Sequence, residues 1–306
     1  MNIFATIIPV FAIILLGWIS RKKGFIHTDF IGPANSLVFY LALPAMIFSA
    51  ISRATLTAHF NIGILVITIA TAMLGFILAW ILGKLHRLKQ GQLGSYIQSS
   101  FHGNLGYIGL AVAFYYLGED GLVKASILTG FLMIVQNLLS VLSLTVNAYQ
   151  PDSAGHARTI FRNIAGNPVI LSAMAGIVCS FFNISIPLIA QQSLDILSGL
   201  ALPMALLIIG ASISFQEIRH KMKWVLSSST IKLFLMPGLG YVVFRVMGFP
   251  PGEYLPGLIL LASPTATISY VMAKEMKGDP DFAVIAISMS TLLSSLAYTF
   301  WLNVAG

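Results

Sequence analysis

The stretch Ser99-Ser100-Phe101-His102-Gly103-Asn104-Leu105-Gly106-Tyr107-Ile108-Gly109-Leu110 is a polar, glycine-rich interruption of an otherwise apolar segment. A second interruption follows at an offset of 159 residues (263 − 104 = 159), where Ala262-Ser263-Pro264-Thr265-Ala266-Thr267 brings a proline and several hydroxyls into another apolar segment. In lipid, a broken helix leaves backbone N–H and C=O groups unpaired, which is tolerated only where protein or a water-filled cavity satisfies them. Two breaks at matching positions of two half-chains are typical of a transporter's binding site.

The composition predicts an integral membrane protein. The 306 residues are 57% hydrophobic and only 9% charged, with a mean hydropathy of +0.89, whereas soluble domains carry about 25% charged residues. The net charge of +7 does not indicate nucleic acid binding, because the basic residues lie in short connections between apolar runs. The single cysteine, Cys179, provides neither a disulfide framework nor a thiolate metal site. We expect no cofactor, no metal and no soluble catalytic domain.

The apolar runs predict an all-α protein with ten transmembrane helices. The amino-terminal run lacks a basic leader and a cleavage site, so we interpret it as a retained first span. Thirteen Lys and Arg residues fall in alternate connections and three in the others, which places both termini outside the cytoplasm. The predicted helices are Ile3–Ile19, Phe30–Ser52, Ile62–Gly83, Ser95–Leu117, Val123–Ala148, Val169–Phe182, Leu194–Phe215, Trp224–Met247, Leu255–Ala273 and Phe282–Asn303.

The two halves repeat in one register. Leu41-Ala42-Leu43-Pro44 recurs 159 residues later as Leu200-Ala201-Leu202-Pro203, and Gly17 matches Gly176. The repeats are residues 1–148 and 168–306, joined by a cytoplasmic connection at 149–167. Five helices per half is an odd number, so the second half must enter the membrane the opposite way up, as an inverted repeat. The broken fourth and ninth helices can then cross.

Each candidate residue has a functional and a structural interpretation. The break around Asn104 could bind an anion at half-helix N-termini, or its glycines at every third position could serve helix packing. Pro264 could form a break or a simple kink. Pro44 and Pro203 could contact a ligand, but we interpret them as helix kinks that shape a wall of the helix bundle.

The charged and polar candidates inside the predicted helices also leave alternatives open. Lys232 could act inside the bundle, by attracting an anion or locking helices together, or it could extend toward the cytoplasmic end. Either Gln136 or Asn137 should face the interior. His102 could relay protons or remain a neutral hydrogen-bonded imidazole. Asp195 is the one acidic residue predicted within the membrane, and this scarcity argues against cation-coupled antiport.

These motifs resemble the auxin efflux carrier family over nearly the whole chain. The most specific segments are Asn104 to Leu110, Lys232-Leu233 to Pro237, Ala262-Ser263-Pro264, and Tyr270 to Glu275 with Asp279-Pro280. The resemblance implies the elevator-type fold of sodium/proton antiporters and bile-acid carriers. Helices one, two, six and seven would form a scaffold, helices three to five and eight to ten would form a transport unit, and the protein would be a homodimer.

The resemblance also implies site residues. The family's crossover asparagine and proline correspond to Asn104 and Pro264, and its fifth-helix glutamine near the substrate carboxylate corresponds to Gln136. Leu110-Ala111 replaces the plant isoleucine-proline pair, and the long plant loop between the halves is absent, so specificity for indole-acetate does not follow. The candidate substrate-binding residues are Asn104, Leu105, Gly106, Tyr107, Gln136, Pro264, Thr265 and Ala266, with Lys232, His102 and Asp195 as electrostatic or coupling residues.

The leading hypothesis is a plasma-membrane secondary carrier that exports small organic anions, auxin-like or dicarboxylic, driven by the membrane potential. The alternative is a sodium- or proton-coupled symporter of related fold. An intramembrane enzyme or a receptor is a third class, but the sequence has no H-E-x-x-H, no G-x-S-x-G and no intramembrane Asp pair.

Overall fold

The computed structural model describes residues 3–54, 59–148, 166–213 and 218–306. Within these ranges the backbone is helical, and the one β-type pairing is an isolated bridge. Six helices in the described part of the chain are long and apolar enough to cross a membrane, and Pro168–Phe181 is a shorter apolar helix. The expectation of an all-α, multi-pass protein is therefore confirmed at this level, whereas the ten-helix arrangement remains a prediction.

The helices are named α1 to α13 in chain order. Three short π-helical segments interrupt them, at Val38–Ala42, Leu105–Gly109 and Ile231–Leu235. The α-helices are α1 Ile3–Lys22, α2 Thr28–Leu37, α3 Leu43–Ser52, α4 Ile62–Leu85, α5 Gln92–Phe101, α6 Leu110–Val146, α7 Pro168–Phe181, α8 Leu188–Ser212, α9 Ile218–Thr230, α10 Met236–Val246, α11 Pro251–Leu261, α12 Ile268–Glu275 and α13 Pro280–Ala305.

The predicted fourth and ninth helices are both broken, as the sequence suggested. The fourth ends at Phe101 and resumes at Leu105, and the ninth ends at Leu261 and resumes at Ile268. The predicted fourth and fifth helices are joined in α6 across Gly118, whose φ of 73° is non-helical. Only glycine adopts such a backbone at low cost. The seventh helix begins at Leu188, six residues before the predicted start, because the polar residues Gln191-Gln192-Ser193 separate its first apolar turn from the apolar run that follows.

The described chain packs as two compact units. The first comprises Met1–Asn61, Gly106–Phe131 and Ala165–Ser212, and the second comprises Ile62–Leu105, Leu132–Ile164 and Ile213–Gly306. The first unit contains α1, α2, α3, α7 and α8, which the resemblance assigns to a scaffold, together with Gly106–Phe131, which it assigns to the transport unit. Each unit draws on both sequence halves, so the repeat boundaries at 1–148 and 168–306 remain predictions. The predicted connection 149–167 lies outside the described residues, except for Gly166 and Asn167.

Small residues set the helix spacing in the first unit. A Cβ on Gly17 would collide with the backbone of Leu207 in α8, and one on Gly210 would collide with the backbone of Ile14 in α1. The two helices therefore approach along glycines, as small residues permit in membrane proteins. A Cβ on Gly176 of α7 would lie 2.9 Å from the Ile51 side chain of α3. The repeat-related pair Gly17 and Gly176 thus has a packing role in this unit.

In the second unit, α13 supports neighbouring segments through aromatic side chains. The Tyr298 hydroxyl donates to the Ile259 carbonyl in α11 at 3.2 Å, and the Trp301 indole N–H donates to the Leu233 carbonyl at 2.8 Å. At the start of α13, Asp279 accepts from the Phe282 N–H at 2.9 Å and pairs with Lys221 at 2.8 Å. These bonds connect α13 to both segments that bear the second half's candidate residues.

Candidate functional site

The two breaks meet in the second unit. Gly103 and Thr265 form an antiparallel bridge. The Asn104 N–H donates to the Pro264 carbonyl at 2.7 Å, and the Ala266 N–H donates to the His102 carbonyl at 2.9 Å. Each break thus satisfies backbone groups of the other, as an interrupted helix in an apolar environment requires. The sequence predicted that the breaks could cross, and the structure brings them together.

Two side chains cap the carbonyl ends of the half-helices at this crossing. The Gln136 amide nitrogen donates to the Phe101 carbonyl at 3.2 Å, at the end of α5, and its amide oxygen accepts from the Gly103 N–H at 3.2 Å. The Lys232 ammonium donates to the Leu261 carbonyl at 2.5 Å, at the end of α11. Helix C-termini carry a partial negative charge. A neutral amide therefore caps one such end, and the side-chain nitrogen of Lys232 donates to the other.

The position of Lys232 depends on a π-helical segment. Lys232 is fully buried in Ile231–Leu235, which lies between α9 and α10. A Cβ placed on Gly103 would lie 3.1 Å from both Cε and Nζ of Lys232, so the lysine stem passes directly beside the first break. Of the two interpretations from sequence, the structure shows the lysine inside the unit and bonded to a neighbouring segment. Whether it also attracts a substrate remains a prediction.

The remaining candidates in the second unit are buried among hydrogen-bond partners. The His102 ring contacts the Ser140 hydroxyl at 2.9 Å through Nδ1. Thr265 donates its hydroxyl to the Ser99 carbonyl at 2.8 Å and its N–H to the Ser290 hydroxyl at 3.0 Å. Asn104 and Leu105 are 6% and 1% exposed. The Thr265 donors would have to exchange partners before they could bind a ligand.

Two further candidates, Gly106 and Tyr107, belong to the first unit. The Tyr107 hydroxyl donates to the Asn35 amide oxygen at 2.8 Å, which ties the π-helical segment Leu105–Gly109 to α2. Pro44 is near the start of α3, directly after the π-helical segment Val38–Ala42. The structure thus gives Tyr107 a polar partner that the sequence did not indicate.

Asp195 lies in a cavity of the first unit, of about 580 Å³. Its carboxylate accepts from the Arg53 guanidinium at 2.9 Å and from the Ser49 hydroxyl at 3.1 Å. Pro203 lines the same cavity, within the continuous helix α8. Sequence reasoning named Asp195 and Pro203 but used Arg53 only as a topology signal. No spacing rule could have paired Arg53 with a residue more than a hundred positions away.

Among the described Lys, Arg, Asp and Glu residues, Lys232 and Asp279 are the two that are buried, and both belong to the second unit. No cluster of three or more His, Cys, Asp or Glu side chains that could hold a metal occurs among the described residues. Asp279 is the one buried carboxylate in the described ranges, and Lys221 neutralises it. The Lys232 side chain is buried at the crossing, and α12 begins there at Ile268 without a side-chain hydrogen bond from its N-cap residue. Helix N-termini favour negative charge.

A many-helix apolar chain whose broken helices cross in its interior has the features of a membrane transporter. The comparisons agree: the sequence pattern of the family described as "Membrane transport protein" matches residues 2–302. The chain belongs to this family, which is the auxin efflux carrier family that its motifs resemble.

The relatives are prokaryotic proteins of similar length. A "Putative malonate transporter" of Rhizobium meliloti is 27% identical over 307 residues, covering 97% of this chain and 94% of the relative. An uncharacterized transporter of Methanocaldococcus jannaschii is 23% identical over 96% of both chains. Another, of Methanothermobacter thermautotrophicus, is 24% identical over 97% of this chain and 96% of the relative. Family and relatives are transporters, which are not enzymes.

Proposed function

We propose that the protein is a secondary carrier that exports small organic anions across the plasma membrane, with dicarboxylates such as malonate as the first class to test. The crossing carries this proposal. There, Gln136 and Lys232 satisfy the carbonyl ends of two half-helices, and the Lys232 side chain is buried beside Gly103. A carboxylate entering this region would meet an ammonium group and helix N-terminal N–H groups.

The membrane potential is a sufficient driving force for such export. Moving one negative charge out of an inside-negative cell gains about 2.3 kcal/mol per 100 mV. A dicarboxylate with two charges gains about twice that amount, without any coupled ion. We therefore propose potential-driven efflux, with alternating access of the elevator type and a homodimer joined through scaffold helices. The grouping of α1, α2, α3, α7 and α8 in one compact unit supports this mechanism.

The test uses purified protein in liposomes fused to a solid-supported membrane. Malonate, malate and indole-3-acetate are offered in turn, and the transient current is recorded with and without sodium and with and without a pH gradient. We expect a current with at least one of these anions that does not depend on sodium or on the proton gradient. A strict requirement for sodium or protons would instead establish the symport alternative.

The site itself is tested by Asn104→Ala and Pro264→Ala. Both residues contribute to the bridge through backbone atoms, so the variants change the side chains while leaving the Asn104 N–H and the Pro264 carbonyl in place. We expect either variant to reduce the current at least tenfold while the protein elutes as a single folded species. Wild-type currents from both variants would refute a substrate site at the crossing.

A further inference from the structure

The cavity of the first unit has features of a binding site that the crossing does not explain. Its volume of about 580 Å³ lies in the range of small-molecule pockets. Apolar side chains such as Met46 and Leu202 line part of it, while Arg53 and Asp195 introduce charge. Mainly apolar walls with a few polar groups are the usual composition of a ligand site.

Arg53 is held at this cavity with part of its guanidinium unused. Its Nη2 donates to Asp195 at 2.9 Å and lies 3.5 Å from the Gln191 carbonyl. Among the described residues, Nη1 and Nε have no hydrogen-bond acceptor. Ser49 donates to the same Asp195 oxygen and so fixes the carboxylate that orients the arginine. A guanidinium oriented in this way can bind a carboxylate through two parallel hydrogen bonds.

Replacing Asp195 as the partner of Arg53 should cost little free energy. The two side chains are 42% and 50% exposed, and ion pairs with such access to water contribute little net free energy. A substrate carboxylate can therefore share or replace Asp195 at Arg53 at small cost. Asp120 is already paired with His59 at 3.0 Å and Lys124 at 2.8 Å, so its carboxylate competes less for the arginine.

We propose that this cavity is a second, low-affinity anion site, in which Arg53 receives the carboxylate of the exported acid on its extracytoplasmic side. The inference rests on the proposed function, because it takes the transported organic anion as the ligand. The positive-inside distribution predicts that Arg53 lies on that side. Glu119 also lines the cavity without a salt bridge to a described residue. Its negative charge weakens anion binding and favours release over retention.

Gly199 provides a way to close the cavity without changing charge. It lines the cavity from α8, and a Cβ built on it would meet no atom within 4 Å. A larger side chain therefore has space to extend into the cavity, and leucine is a better helix former than glycine. Gly199→Leu should fold and occupy the volume in which the ligand would lie.

The experiment measures binding of radiolabelled malonate to purified protein by scintillation proximity, in the Asn104→Ala background. We expect weak residual binding in Asn104→Ala. Adding Arg53→Gln should weaken it about tenfold, the loss of one charge-assisted interaction, and adding Gly199→Leu should weaken it by a similar factor. Arg53→Lys should restore part of it. Arg245→Gln, which changes an exposed arginine of α10, is the matched control and should have no effect.

Two results would overturn the second site: no malonate binding in Asn104→Ala alone, or binding unaffected by both Arg53→Gln and Gly199→Leu. Gly199→Leu keeps the test informative if Arg53→Gln does not fold. Failure of the proposed function has a different signature, because it appears as wild-type current from the Asn104→Ala and Pro264→Ala single variants. The failure of one proposal can therefore be distinguished from the failure of the other.

Discussion

Gly103→Ala is the substitution that most directly tests the crossing. A Cβ at this position would come closer than 3.0 Å to the Ser263 hydroxyl oxygen, a separation that real Cβ atoms do not show, and within 3.1 Å of Lys232. The serine cannot move freely, because its hydroxyl donates to the Leu260 carbonyl at 2.7 Å. Alanine must therefore either displace the Ser263 hydroxyl or separate the two breaks.

Each route has a calculable cost. Rotating Ser263 gives up one hydrogen bond, about 1 kcal/mol. Separating the breaks by about 1 Å would extend the Asn104–Pro264 and Ala266–His102 bonds, now 2.7 and 2.9 Å, beyond hydrogen-bond distance. Two buried backbone pairs would then be lost, at about 1–3 kcal/mol each. We expect Gly103→Ala to lower the free energy of unfolding by about 1–6 kcal/mol, and to reduce transport more than this destabilisation alone would.

The assay combines thermal unfolding in detergent with the malonate current. Gly32→Ala is the matched control, because Gly32 lies within α2 and a Cβ there meets no atom within 4 Å. The double variant Gly103→Ala/Ser263→Ala removes the colliding oxygen and should recover part of the lost stability. Wild-type unfolding temperature and current in Gly103→Ala would refute the reasoning. So would a double variant whose loss of stability exceeds the sum of the losses in the two single variants.

Two other substitutions test the bonds around the crossing. Gln136→Leu leaves the Phe101 carbonyl and the Gly103 N–H without their side-chain partners, and should lower the free energy of unfolding by about 2–6 kcal/mol. Gln136→Glu keeps the acceptor for the Gly103 N–H, so it should lower the unfolding temperature less in the same thermal assay. Lys221→Ala leaves the Asp279 carboxylate buried without its counter-ion, at a cost of about 3–5 kcal/mol. Adding Asp279→Asn to Lys221→Ala should reverse part of that loss. If the stability losses of the two single variants simply add in the double variant, the result would contradict a direct ion pair.

The sequence was sufficient for the features that depend on local chemistry. Glycines and a proline inside apolar runs predicted both breaks, and the common offset of 159 residues predicted that they could meet. The structure pairs them at Gly103 and Thr265. A break exposes backbone groups whatever surrounds it, so its position follows from the residues in the chain itself.

Features that depend on distant partners could not be predicted in this way. Periodicity left Gln136 and Asn137 as alternatives, although the family resemblance favoured Gln136, and the packing shows that Gln136 is fully buried while Asn137 is partly exposed. Helix periodicity gives relative directions within one helix, but not the direction of the neighbouring break. Asp279 caps the start of α13 and is only 8% exposed, and its partner Lys221 lies in α9, a pairing that no local spacing predicts.

The π-helical segment Ile231–Leu235 has a consequence for the helical phase of this part of the chain. A π-helical turn accommodates about one residue more than the α-helix around it, and one residue corresponds to about 100° of rotation. If that extra residue were deleted, the helix after it would keep its composition but present a different face. Lys232 could then no longer lie at the Leu261 carbonyl while Trp301 bonds to Leu233. The position of the buried Lys232 side chain therefore depends on the length of this π-helical segment as much as on the lysine itself.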